Sequence, residues 1–292
     1  MNGQTCVITG ATSGIGRAAA LALGKLGAHL ALLGRNESAG EAAVRRIRAR
    51  GSKAEFFRTD LSILSEVREA ARRITQRYSQ IDVLINNAGA RFDKYQRSAD
   101  GFELTFATNH LSHFLLTSLL ADSLLAAPAA RVLTVSSRTH AAAVADGLWQ
   151  LSPTAYNRHQ AYARSKLANV LFAYELADRL KGTTATSNVV DPGIVATNFG
   201  RNNGLLSWSR HLVYHGMRGE LVSAQRACQA IVFLADADSV RTCTGQYFHE
   251  NQPLQSAKAS YDRDLSRDLW NMSLSWTGLN GDVVPRWDRM RP

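Results

Sequence analysis

The sequence predicts an α/β fold, a doubly wound parallel sheet of about seven strands with helices on both faces. Three observations predict it. Short apolar, β-branched runs alternate with longer stretches of helical period along nearly the whole chain, an order that lays helices across a parallel sheet. The first run, Thr5–Thr9, opens onto a glycine-rich turn and then a helix. No repeat, low-complexity tract or Pro/Gly-rich linker divides the chain, so a single domain is expected over residues 1–280.

Strands are read at Thr5–Thr9, Leu30–Leu33, Glu55–Arg58, Val83–Ile85, Arg131–Val135 and Ser187–Val190, with a weaker seventh at Gln246–Phe248. Between them helices are expected near Ile15–Leu26, Ser38–Arg50, Ser62–Tyr78, Phe102–Ala126, Tyr162–Lys181 and Ser223–Leu234. Ile63, Val67, Ala70, Ile74 and Tyr78 share one helical face, as do Leu167, Val170, Leu171, Tyr174 and Ala177. Three stretches interrupt the alternation: the loops Arg138–Ala161 and Asn198–Glu220, and a tail, Gly281–Pro292, expected to be mobile. Ligands of open α/β sheets bind beyond the carboxyl ends of the strands. Both loops start at that edge, and their apolar groups (Trp149, Tyr156, Leu205, Trp208) make them candidate walls for a bulky, largely apolar substrate.

Composition narrows the class. Hydrophobic residues are 45% and charged residues 20% of the chain, ordinary for a globular enzyme. No apolar run reaches the roughly 18 residues of a membrane span, and the strand at Thr5 leaves no room for a signal peptide. Cys6, Cys228 and Cys243 are odd in number and share no metal-ligand spacing, so they read as reduced thiols of a cytoplasmic protein, without zinc or disulfide. The net charge of +10 is read as a solvated surface with a few cations for a phosphorylated cofactor. No basic run is interleaved with aromatics, so nucleic acid is not an expected partner.

The chemistry begins at Thr9-Gly10-Ala11-Thr12-Ser13-Gly14-Ile15-Gly16. Glycines there permit a tight turn and bring the backbone close to a pyrophosphate at a helix N-terminus, as in Rossmann-type sites. The spacing is GxxxGxG rather than the commoner GxGxxG. An NAD enzyme usually ends its second strand with an acid for the adenosine ribose. This chain has Leu33-Gly34-Arg35-Asn36 instead. Arginine can grip a 2′-phosphate through two parallel hydrogen bonds. Arg35, with Arg17 as a second cation, therefore predicts NADP(H).

These motifs, then Asp60-Leu61, Asn86-Asn87-Ala88-Gly89, Asn109, Val135-Ser136-Ser137, Tyr162-Ala163-Arg164-Ser165-Lys166 and Pro192-Gly193, occur in an order that resembles the short-chain dehydrogenase/reductase family over nearly the whole chain. Asn109–Thr117, the long gap from Ser137 to Tyr162, and Ser165–Asn169 are similar to its retinol dehydrogenase-like branch, which also contains protochlorophyllide reductases. The resemblance implies catalytic roles for Asn109, Ser137, Tyr162 and Lys166. It implies cofactor contacts at Gly10, Ser13, Gly14, Ile15, Gly16, Arg17, Arg35, Asp60, Leu61, Asn87, Ala88, Gly89, Tyr162, Lys166, Pro192, Gly193, Val195 and Thr197. It also implies pairing into a homodimer or homotetramer through the helices near 102–126 and 162–181. Asp191 stands where that branch often has His, and sequence assigns it no role.

The residue types suit proton exchange at an alcohol or carbonyl oxygen. A free tyrosine, with a pKa near ~10, is a poor base at neutral pH. Lys166, four residues on, shares a helix face with Tyr162, and its ammonium is expected to favour the phenolate. By resemblance Ser137 orients the substrate oxygen, Lys166 also bonds the nicotinamide ribose, and Asn109 holds a water that links Lys166 to solvent. Tyr156 is a decoy, because Gln160 rather than a lysine follows it at four. Ser136 competes with Ser137 for the serine role. His110, His113, His140, His211 and His215 lack a partnered nucleophile and are assigned to packing or surface. Two alternatives compete: an NAD-dependent alcohol oxidant, opposed by Arg35, and a dinucleotide-sensing regulator, which would not need the proton-transfer residues.

Overall fold

The computed structural model describes residues 1–144, 149, 153–195, 221–279 and 285–289. Its frame is an eight-stranded sheet built from β1 (Thr5–Thr9), β2 (His29–Gly34), β3 (Ala54–Arg58), β4 (Val83–Asn86), β5 (Arg131–Val135), β6 (Thr186–Asp191), β9 (Tyr247–His249) and β10 (Gln252–Leu254), in the order β10-β9-β6-β5-β4-β1-β2-β3. A separate parallel pair joins β7 (Ile194–Val195) to β8 (Leu221–Val222). The strand order reverses at β1, which pairs in parallel with both β2 and β4. That reversal opens the crevice in which ligands of doubly wound sheets bind.

The two faces follow from period-2 alternation. Val7, Ala31, Leu33 and Leu84 enter one core, while Cys6, Ile8, Leu30, Leu32, Val83 and Ile85 enter the other. The second core is covered by α1 (Gly14–Lys25), α2 (Glu37–Arg48) and α8 (Ala224–Asp236). The first is covered by α3 (Leu64–Arg77), the segments α4 (Leu104–Phe106), α5 (Ser112–Leu119) and α6 (Ala121–Leu125), and α7 (Arg158–Arg179), with α9 (Arg263–Trp276) packed on α7.

Four expectations change. The seven parallel strands gain an antiparallel edge, because Glu250 and Asn251 form a two-residue turn, Glu250 at φ 53, that folds β10 back on β9. The helix expected over Phe102–Ala126 is broken, with a π-helical turn at Ala107–Leu111 between α4 and α5. The helix expected to start at Tyr162 begins four residues earlier, because the Asn157 side chain accepts from His159 N at 2.9 Å and Gln160 N at 3.1 Å and caps it. The tail expected to be mobile over 281–292 is packed within 285–289: a short helix, α10 (Arg286–Arg289), places Trp287 at 1% exposure in the first core.

Candidate active site

The crevice at the carboxyl ends of β1 to β4 is a cavity of 680 Å³ lined from the turn at Gly10–Arg17, from Gly34–Asn36, from Thr59–Leu61 and from Asn87–Ala90. It gathers every residue from Gly10 to Gly89 that the sequence nominated for the cofactor. Its glycines are required by packing. A Cβ at Gly16 would lie 2.5 Å from Gly10 O and closer still to the Asn87 amide, and one at Gly10 would lie 2.9 Å from Ala88 Cα. Gly14 holds a φ of +53°, where a side chain is strained. Ser13 starts α1 without a side-chain capping bond, and the first turn holds no acid, so its N–H groups and dipole suit an anion. A pyrophosphate fits this cradle. Thr9 and Asn87 lock its floor: Thr9 Oγ1 accepts from Asn87 N and Ala88 N at 2.9 and 3.0 Å, and Asn87 Nδ2 donates to Thr9 O at 2.8 Å.

At the rim, a Cβ on Gly34 would meet Thr12 Cγ2 at 2.7 Å, so no acidic side chain fits there. Arg35 is 62% exposed and faces Asp60 Oδ2 at 3.8 Å. An ion pair so open to solvent contributes little, leaving the guanidinium available for a phosphate.

The other end of the crevice meets α7 at Gly89, where a Cβ would lie 3.4 Å from Lys166 Nζ and 3.6 Å from Asn109 Oδ1. Lys166 is buried and donates to Val135 O at 3.1 Å, and its ammonium lies 5.7 Å from the Tyr162 ring centre. Burial pulls Lys166 down to about 8. Burial pushes Tyr162 up to about 12, against which the Arg91 charge and a hydrogen bond from Ser137 act. Arg91, a residue that sequence reasoning passed over, thus joins Ser137 in lowering Tyr162. Ser136 is occupied, its hydroxyl donating to Lys166 O at 2.8 Å, so Ser137 is the serine at Tyr162.

Asn109 ties two elements together. Its Oδ1 accepts from Ala90 N at 2.7 Å, and its Nδ2 donates to Ala90 O at 2.9 Å and Ser165 Oγ at 3.0 Å. The side chain so clamps the β4 loop to α7. His140 also does more than pack. Ala257 N donates to its Nε2 at 2.9 Å, so Nδ1 carries the proton and donates to Ser137 O at 2.7 Å, anchoring the serine. His110 and His113 are buried and held neutral, each pushed down to about 3 by burial.

Pro192, Gly193 and Val195 follow β6, with Gly193 N donating to Asp191 Oδ1 at 3.0 Å; Thr197 and the loop 198–220 lie outside the described residues, with His211 and His215. Within the other expected wall, Trp149 packs on Phe106 with ring centres 5.7 Å apart, and the Tyr156 hydroxyl donates to Phe92 O at 2.8 Å. Both are engaged with the body of the protein. Among the described residues no group of side chains is set to hold a metal, and no helix is long and apolar enough to cross a membrane.

A doubly wound sheet whose glycine cradle leads to a Ser-Tyr-Lys cluster defines a dinucleotide-dependent oxidoreductase, and the comparisons agree. A family model for short chain dehydrogenases matches residues 4–205. The chain is 35% identical to retinol dehydrogenase 14 of Mus musculus, over 96% of this chain and 87% of that one. It is 34% identical to polyprenol dehydrogenase of Homo sapiens, over 94% and 86%. A solved structure from Beutenbergia cavernae with NADP bound at low occupancy superposes with a TM-score of 0.69 at 26% identity, over 85% and 95%. The chain belongs to the short-chain dehydrogenase/reductase family, in its retinol dehydrogenase-like branch. It is an oxidoreductase acting on CH–OH groups of small molecules, and its cofactor is a nicotinamide dinucleotide.

Proposed function

We propose that this protein is an NADP(H)-dependent enzyme acting on bulky, largely apolar alcohols or the corresponding carbonyl compounds, with Tyr162 exchanging the proton at the substrate oxygen. The observation that carries this reading is the convergence of Ser137, Tyr162 and Lys166 where the glycine-lined crevice meets α7. When bound, the nicotinamide supplies or accepts the hydride at carbon. Ser137, anchored by His140, orients the substrate oxygen. Tyr162 gives a proton to that oxygen in reduction and takes one in oxidation. Lys166, on the same helix face and beside Gly89, holds the cofactor's ribose side and keeps a positive charge near the phenol. NADP over NAD rests on Arg35 and Gly34 at the rim; an apolar substrate is supported by the retinol and polyprenol in the names of two relatives.

The test is turnover of Tyr162→Phe with NADPH and a series of aldehydes and ketones. The ring remains and only the transferable proton is lost, so turnover should fall at least about a hundredfold (the order of acid–base catalysis, roughly 10²–10⁴) while NADPH affinity stays within about threefold. Unchanged turnover would remove Tyr162 from the chemistry. Equal rates for small hydrophilic and large apolar carbonyls would remove the substrate class.

A further inference from the structure

Asp191 ends β6 with a carboxylate that is 1% exposed. Its Oδ1 accepts from Gly193 N at 3.0 Å. Its Oδ2 lies 3.5 Å from Arg138 Nε and 3.6 Å from His249 Nδ1. His140 and the Tyr247 hydroxyl feel the same charge. Strand alternation sets its direction. Val189, two residues earlier, packs on Val170 and Ala173 of α7, so Asp191 also faces α7, the helix that carries Tyr162 and Lys166.

Arg91 meets that helix from the loop after β4. Its loop is clamped at three flanking residues: Ala90 to the Asn109 amide, Phe92 O to the Tyr156 hydroxyl, and Asp93 to Arg158 at 3.0 Å. Between these clamps Arg91 Nε is buried, and its charge acts on His159 and Tyr162, which are three residues apart and so on one face of α7.

We propose that Asp191 and Arg91 are positioning residues, opposite charges that bracket the Tyr162–Lys166 pair and together set the pH range in which it exchanges a proton. The physics is direct. Burial disfavours charge on both members of the pair, pushing Tyr162 up and Lys166 down. Asp191 keeps the ammonium on Lys166 and opposes the phenolate, whereas Arg91 favours the phenolate. Between them they hold the pair in its proton-bearing form at neutral pH without locking the proton in place. Of the other titratable neighbours, His113 is pushed down to about 3 and His140 is lowered by burial, while His249 and the Tyr247 hydroxyl face Asp191 from β9. Arg138 stays on the solvent side of Asp191, 64% exposed, and Arg158 is paired with Asp93.

The inference rests on Tyr162 being the proton-exchanging group, so two readouts are needed. The first is the pH dependence of kcat for alcohol oxidation with NADP⁺. Asp191→Asn keeps an oxygen for Gly193 N–H and removes the charge, and should move the rising limb to lower pH by at least half a pH unit. Arg91→Met should move it to higher pH by as much, Arg91→Lys should restore it, and the double variant should fall between the singles. The second readout needs neither cofactor nor turnover: carbon-13 NMR titration of the lysine ε-carbons, with Lys166 assigned by its loss in Lys166→Met. Asp191→Asn should titrate Lys166 below the parent protein, and Arg91→Met should leave it in place. Profiles that shift in the same direction, or a Lys166 titration that ignores Asp191, overturn the proposal. If Asp191→Asn does not fold, the Arg91→Met and Arg91→Lys profiles decide, and an unmoved pair of profiles overturns it. A fully active Tyr162→Phe variant overturns the parent reading instead, because the Lys166 titration does not depend on Tyr162.

Discussion

Lys166 shows what the site does to a single side chain. Its ammonium is buried at 3% exposure, and burial pulls its pKa from 10.5 to about 8. A lysine whose folded value lies below its unfolded one destabilises the fold below both values, and the penalty disappears as pH rises from about 8 to ~10.5. At neutral pH the penalty is on the order of 3 kcal/mol, at about 1.4 kcal/mol per pH unit between the two values. Lys166→Met removes the charge, and Val135 O keeps a partner because Asn169 Nδ2 also donates to it at 3.2 Å. Denaturant unfolding should therefore find Lys166→Met more stable than the parent at pH 7, the gap closing towards pH 10, while turnover is lost. A variant no more stable at pH 7 would mean that the ammonium is better solvated than its burial indicates. Arg35 makes the complementary case, an exposed charge whose effect depends on a ligand. One charged, bidentate phosphate contact contributes about 1.5–3 kcal/mol, roughly tenfold to a hundredfold in affinity. Arg35→Asp should reverse the preference of NADP(H) over NAD(H) by at least that factor in kcat/KM, and an unchanged ratio would place the discrimination elsewhere.

At the scale of elements, legibility followed the range of the interactions that fix each one. The strands β1 to β6 and the glycine turn are set by local period and local backbone demands, and these were readable residue by residue. Helix α9 was not, because hydroxyls at Ser266 and Ser273 interrupt the apolar spacing of the face that buries Leu269 and Trp270. Ser266 Oγ donates to Leu171 O at 3.2 Å, and Ser273 Oγ meets His110 Nε2 at 3.0 Å. The π-helical turn was invisible for a related reason. Its residues read as a continuous apolar helix, yet it carries Asn109, whose amide is tied to Ala90 and Ser165, two positions remote in sequence. The early start of α7 did have a signal, the cap Asn157 with Gln160 three residues on. Gln160 nonetheless turns away from the cap, bonding Val144 N and Ala142 O and so holding the segment after β5 against the helix. The charges that bracket Tyr162 were hidden for the same reason as the π-turn: Arg91 and Asp191 lie 71 and 29 residues from it along the chain, and only the sheet edge brings them together.

For the whole molecule, the segment around Trp287 connects the end of the chain to the core that carries the site. Trp287 is 1% exposed in the core beneath α3, α5 and α7. Its neighbour Asp288 accepts from Trp270 Nε1 at 3.1 Å and pairs with Arg179, whose guanidinium lies 4.2 Å over the Trp270 ring. Trp270 in turn stacks on Phe172 of α7, with ring centres 5.8 Å apart. The last helix thus braces α7 near its carboxyl end, far along the same helix from Tyr162. Trp287→Ala should destabilise the fold by about 3–5 kcal/mol, the usual loss when a buried tryptophan is truncated. At roughly 2–4 °C per kcal/mol for a domain of this size, Tm should fall by about 6–20 °C. The crevice does not include this region, so NADPH affinity at 20 °C should stay within about twofold of the parent. Asp288→Asn, which keeps an acceptor for Trp270 and loses the charge opposite Arg179, should lower Tm by less. A Tm within 2 °C of the parent for Trp287→Ala would show that the packing at 285–289 contributes nothing to stability. A tenfold loss of NADPH affinity in a folded variant would instead show that strain at the carboxyl end of α7 is transmitted to Lys166.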